Sequence, residues 1–199
     1  ATALGFLTAS KLAGRPLLVR SNGVPYAWGT GVISYRTDNG PLSATVSESS
    51  AQSRIIASFS VWQDVPTASI SYSRAGFITS TGAFTDGDVS DLNEYNAVDA
   101  DCGSGGQSAV VYDADGSIIA ALGIDNTSVI GFASPCITNA TNYLTGLVVM
   151  NGRFQDGQPS PGDIPAASFD AAIVHEFGHF SGLDHSQINV NCLNACSPD

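Results

Sequence analysis

The chain reads as an α+β fold, an α/β-like layer of one sheet and two main helices. Three observations predict it. Short runs rich in β-branched residues recur at 31–36, 68–72, 108–112, 128–133 and 144–150. Two longer stretches, 43–65 and 166–182, hold no Pro and read as helices. The segments follow one another as strand, helix, strands, helix, and no internal repeat is visible.

Taken in order, residues 1–30 show no clear period. They lack an initiator Met and a basic start, so they are read as an N-terminal extension or processed segment. Residues 31–199 form the expected domain. Gly31 to Arg36 alternates as a strand does, and Asp38, Asn39, Gly40 and Pro41 compose a turn. The stretch from Ser43 carries Val46, Ile55, Ile56, Phe59, Val61 and Trp62, and its helix stops near Asp64. Ala68 to Tyr72 is a second strand. Residues 75–107 are rich in Gly, Asp and Asn and read as a long loop. Ser108 to Tyr112 comes next as a strand. Ser128 to Ala133 reads as a short strand ended by Pro135, and Leu144 to Met150 as another. Gly157, Pro159, Pro161, Gly162 and Pro165 mark a loop over 155–165. The helix from Ala166 to Gly182 has Ser168 or Asp170 near its start for capping.

The bulk numbers narrow the function classes. With 43% hydrophobic and 13% charged residues, the chain is globular rather than disordered. No apolar run approaches the ~20 residues that span a bilayer, so no membrane insertion is expected. The net charge of −11 repels nucleic acid and anionic membranes. No Lys or Arg lies between Arg74 and Arg153, a stretch holding many carboxylates. A solvated acidic surface and a Ca²⁺ site both fit that pattern. Asp113 and Asp115, followed by Gly116, resemble the start of a Ca²⁺ loop without the rest of an EF-hand, and an ordinary turn fits equally. The four cysteines, Cys102, Cys136, Cys192 and Cys196, fit an oxidising, extracellular setting and a secreted protein. Proximity in sequence favours the pairs Cys102–Cys136 and Cys192–Cys196; free or metal-bound thiols are the alternative. Asn126 and Asn139 begin glycosylation sequons.

The stretch with the most chemistry is HEFGHFSGLDHS, from His175 to Ser186, which fits H-E-x-x-H-x-x-G-x-x-H. All three histidines of the chain lie within it. His175 and His179 are four apart and share one helix face, where two imidazoles can take adjacent corners of a tetrahedral Zn²⁺. Were the helix to continue, His185 would point about 240° round the axis from His179. The chain must therefore break and double back, and Gly182 is placed to allow it. Three His ligands leave a fourth position open, as in catalytic rather than structural zinc sites. Glu176 is expected beside the metal as general base, since zinc lowers the pKa of a bound water toward about 7. The added Gly and His make a chance match roughly a thousandfold rarer than a bare H-E-x-x-H.

On these residues the sequence resembles the metzincin clan of zinc endopeptidases, and within it the matrixins. Gly182, Leu183 and Asp184, and the Ser after the third His, are close to the matrixin form. The strand at Ile33 to Arg36, the helix ending in Trp62 and the strand at Ala68 to Tyr72 are similar to that family's opening elements. Ile130, Gly131, Phe132 and Ala133 are similar to the edge strand above the cleft, which pairs with extended substrate. The resemblance implies a zincin-like twisted mixed sheet packed on two main helices, the second being the active-site helix.

The expected protein is thus a monomeric, secreted zinc endopeptidase. Zn²⁺ sits on His175, His179 and His185, Glu176 is the base, an extended peptide or protein is the substrate, and Ca²⁺ is a second candidate ion. Its one Met, Met150, precedes the motif, and the sequence stops at Asp199. The family's Met-containing turn after the third His is therefore expected to be absent, along with the second zinc some matrixins carry. A zinc-containing binding domain without turnover, or a latent fragment, is the competing reading. Cys192 or Cys196 closing the metal site is a further alternative.

Overall fold

A computed structural model describes residues 16–29 and 31–185. The expected Cys192–Cys196 pair, and the expectations for residues 1–15 and 186–199, lie outside the described residues. Strands β1 (Ala27–Trp28), β2 (Gly31–Thr37), β3 (Ile70–Phe77), β4 (Ala109–Asp113), β5 (Gly131–Thr138) and β6 (Asn142–Asn151) form one sheet. The helices are α1 (Glu48–Gln63), α2 (Leu92–Gly103), α3 (Ser117–Ala121) and α4 (Ala166–Phe180), and a 3-10 turn covers Gly152–Gln155.

β3, β2, β4 and β6 lie side by side and parallel, β1 pairs parallel with the start of β6, and β5 runs antiparallel along β6. Parallel neighbours need crossover connections, which is why helices lie on both faces. Side chains in β4 and β6 alternate between two cores. Val110, Tyr112, Val148 and Met150 pack with Phe59 of α1 and with Phe169, Phe177 and Phe180 of α4. Ala109, Val111, Leu147 and Val149 pack on the other face with Val98 and Cys102 of α2 and Ile119 of α3. The expected α+β layer is therefore present as a mixed sheet with four helices among the described residues.

Several boundaries differ from expectation, each for a local reason. The loop expected over 75–107 contains α2. Asp91 caps it by accepting from the N–H groups of Asn93 and Glu94, while the Glu94 side chain reaches back to Ser90 N. Tyr95, Val98 and Cys102 then repeat at helical spacing on its buried face. α1 starts at Glu48, not Ser43, because Ser47 is the cap and the Ser43 hydroxyl instead donates to Gln155 O. β3 begins at Ile70 and continues to Phe77. β5 is not ended by Pro135 but passes through it to Thr138, with its register shifting there. That is tolerable on an edge strand, where one side of the backbone needs no partner. α4 follows Pro165 without a side-chain cap, and Ser168 is not used for one. Asp170 instead pairs with Arg54 of α1. Residues 27–28, inside the expected extension, belong to the sheet.

Cys102 and Cys136 form a disulfide that ties α2 to β5, as their proximity in sequence indicated. No helix among the described residues is long and apolar enough to cross a membrane.

Asp38, fully buried at the end of β2, holds three segments together. Its carboxylate accepts from Gly40 N and Val89 N on one oxygen and from Tyr112 N on the other. Burial outweighs these donors and pushes its pKa up to about 6. An unfolded Asp titrates near pH 4. Between about pH 4 and 6 the folded chain thus holds a proton the unfolded chain lacks; the associated stability is complete below that window and lost as pH rises through it. Relative to wild type, Asp38→Asn should therefore lose on the order of 2 kcal/mol more at pH 4 than at pH 7, read from urea titrations at the two pH values. A pH-independent difference would contradict this assignment. Replacing Cys102 and Cys136 together by Ser should cost roughly 3–4 kcal/mol, from the entropy of the released loop.

Candidate metal centre

α4 is positioned by its apolar face. Phe169, Ile173, Phe177 and Phe180 are fully buried, and Phe59 of α1 stacks on Phe177 with ring centroids 3.6 Å apart. Trp62 of α1 donates from Nε1 to Val174 O at 2.7 Å, one residue before the first histidine. Gly178 makes room for that indole, because a Cβ there would lie 2.9 Å from Trp62 Cζ2. The opposite side of the helix is left to His175, exposed, and His179, half-buried.

The chain then reverses. Gly182 N donates to His179 O and Leu183 N to Gly178 O, both at 2.9 Å, with Gly182 at φ +93°. This is a Schellman termination, with the left-handed residue just past the cap. A side chain at Gly182 would also strike the ring of Tyr143, 2.5 Å from the Cβ position. The reversal brings His185 back over α4, where helical geometry alone would not place it.

The three Nε2 atoms form a nearly equilateral triangle. His175 to His185 is 3.1 Å, His175 to His179 is 3.2 Å and His179 to His185 is 3.2 Å. A point about 2.05 Å from all three lies about 0.9 Å out of their plane, with N–metal–N angles of about 100°, close to tetrahedral zinc. The tautomer of His179 is set by its other nitrogen. Nδ1 faces Leu183 O at 2.8 Å, and a carbonyl can only accept, so Nδ1 carries the proton and Nε2 the lone pair. Burial, then the neighbouring charges of His179 and His185, hold the His175 pKa below its ordinary value. Neutral imidazoles whose lone pairs converge repel one another unless a cation sits between them, so the donor set fits a metal ion. Among the described residues this is the one group of three or more His, Cys, Asp or Glu side chains near enough to share one.

Glu176 lies next to the first of these histidines and is only 8% exposed. Burial pushes its carboxyl up to about 7, opposed by the charge of His185. Ile130 and Ala133 pack against the core on the α4 side, Phe132 against the opposite core. Gly131, Phe132 and Ala133 lie in β5, while Ile130 precedes it and accepts from Asn151 N at 2.8 Å. β5 bonds only to β6, so among the described residues its outer edge is unpaired.

The calcium expectation meets a different arrangement. Asp113 is buried and accepts from Ile118 N and Ile119 N, starting α3, while Asp115 accepts from Ser117 N. These carboxylates serve the backbone, and no third His, Cys, Asp or Glu ligand joins them among the described residues. Sequence reasoning misses Trp62 and Tyr143 as supports of the site, because their partners are 112 residues away for Trp62 and 39 positions away for Tyr143.

Gly182→Ala should weaken metal binding by roughly tenfold or more, since an L-residue in that conformation costs about 1–2 kcal/mol before the Tyr143 clash is counted. Chelator competition measures this, and unchanged affinity would show that the reversal does not depend on Gly182. Set against protein-family models, curated proteins and solved structures, the chain matches none.

Proposed function

We propose that the chain is a zinc-dependent endopeptidase of the metzincin type, similar to the matrixins. The carrying observation is the Nε2 triangle of His175, His179 and His185 with Glu176 buried beside it. Three neutral imidazoles with the fourth position open suit Zn²⁺ and a hydrolytic role, although other borderline divalent ions would also accept them. Zinc held there supplies a Lewis acid that acidifies water and polarises a carbonyl.

The chain's own residues do the rest. Glu176 takes the proton from the attacking water and delivers it to the departing amine. Its carboxylate is left free for this because the metal ligands are all histidines. His179 is held in the ligating tautomer by Leu183 O. The outer edge of β5, unpaired among the described residues, can take an extended peptide as an added strand, and α4 packs against the same strand. That geometry orients a backbone carbonyl without demanding particular side chains, which favours unfolded or loop segments of proteins as substrates. The disulfide fits action in an oxidising, extracellular setting.

Metal content and peptide hydrolysis on one purified sample, with and without chelator, test the reading. About one zinc per chain and chelator-sensitive cleavage are expected. Zinc without cleavage would overturn the endopeptidase assignment and leave a zinc-holding domain. Glu176→Ala should lower kcat/KM by about 10²–10⁴ while zinc stays bound. Loss of zinc in that variant would instead make Glu176 a structural residue.

A further inference from the structure

We propose that residues 16–28 form a strap whose function is to position the third metal ligand, with Leu17 and Trp28 as positioning residues for His185. The inference rests on the three histidines holding a metal. It starts from an accounting of the carbonyls at the end of α4, which the helix itself leaves without partners. Phe177 O is taken by Ser181 N, Gly178 O by Leu183 N and His179 O by Gly182 N. The next carbonyl, Phe180 O, is taken from outside the helix by Trp28 Nε1 at 2.9 Å. Gly182 O, at the summit of the reversal, accepts from Leu17 N at 2.7 Å. Pro16 forms an antiparallel bridge with Leu183. The turn that carries His185 is thus closed by the N-terminal segment.

The strap is itself anchored. Tyr26 N donates to Leu18 O and Val19 bridges Pro25, making a hairpin, and β1 then joins the sheet beside β6. Trp28 stacks on Phe180 with centroids 5.1 Å apart. Tyr143 of β6 closes the arrangement, because its hydroxyl accepts from Leu18 N while its ring lies against Gly182. Leu183 sits between the two systems. One side meets Pro16, and its carbonyl fixes the His179 tautomer.

His185 needs such support. Its side chain is 67% exposed, and over α4 it meets the rings of His175 and His179, with centroids 5.0 and 4.5 Å away, which as neutral bases do not hold it there without a cation. Its direction is inherited from Gly182, Leu183 and Asp184, and the strap is what restrains the first two.

The test uses the full chain and Co²⁺ as probe, with affinity from chelator competition and ligand geometry from the visible absorption of the bound ion. Leu17→Pro removes the donor to Gly182 O, and Trp28→Phe removes the donor to Phe180 O while keeping a ring. Each should weaken Co²⁺ binding about 10- to 100-fold and alter the spectrum, as losses behind a ligand do. The same substitutions in a His185→Ala background should cost markedly less, because the ligand they chiefly position is gone and only the Leu183 contact to His179 remains. Ile56→Ala, on the exposed face of α1, is the control for a general loss of stability. Equal losses in both backgrounds, or none in the wild-type background, would overturn the strap. A wild-type chain that binds no Co²⁺ or Zn²⁺ would overturn the metal centre itself, and the strap's role with it.

Discussion

The candidate metal centre depends on one backbone event, the left-handed turn at Gly182. A helix can present His175 and His179 together because four residues make slightly more than a turn. It cannot present a third ligand six residues later on the same face. The Schellman bonds from Gly182 and Leu183 end the helix at Phe180 and satisfy two of its last carbonyls. The same turn aims Leu183 O at His179 and returns His185 to the other two rings. One conformational choice therefore sets where the third histidine lies and the tautomer of the second.

That turn is useful only if α4 is immobile, and its rigidity comes from the core on one face of the sheet. The stack of Phe59 on Phe177 and the indole of Trp62 fix the helix against α1, while Met150 and Val148 of β6 lie beneath it. β4 and β6 are buried on both faces, so helices on one side are registered against helices on the other through a common sheet. The disulfide adds a covalent tie between α2 and β5, the edge strand beside α4.

Electrostatics divides the carboxylates into two kinds. Asp38, Asp91, Asp113 and Asp125 accept hydrogen bonds within the chain, closing turns and starting helices. They are in effect structural groups, which explains how a chain of net charge −11 uses acids in a fold short of cations. Glu176 differs. It is buried next to the three histidines, where its proton affinity is raised by desolvation. The other buried acids, Asp38 and Asp113, accept from backbone N–H groups instead.

The convergence of the three histidines was legible in sequence because it depends on spacing within eleven consecutive residues, and short-range geometry is fixed by the backbone. The order of strands and main helices, the need for a break near Gly182 and the Cys102–Cys136 pair were likewise readable from local pattern and proximity. α2 was hidden by composition, since its Asp, Asn and Gly surroundings resemble a loop until the cap at Asp91 and the spacing of Tyr95, Val98 and Cys102 are seen to agree. Asp113 and Asp115 looked like ion ligands because sequence shows oxygens but not what they already bind. β1 and the strap gave no signal, being two paired residues and a short hairpin whose partners are more than a hundred positions away. The sequence by itself determined which side chains can meet a metal. Only the tertiary structure decided what holds them there, because Trp28, Trp62 and Tyr143 reach the site through long-range packing that no local period encodes.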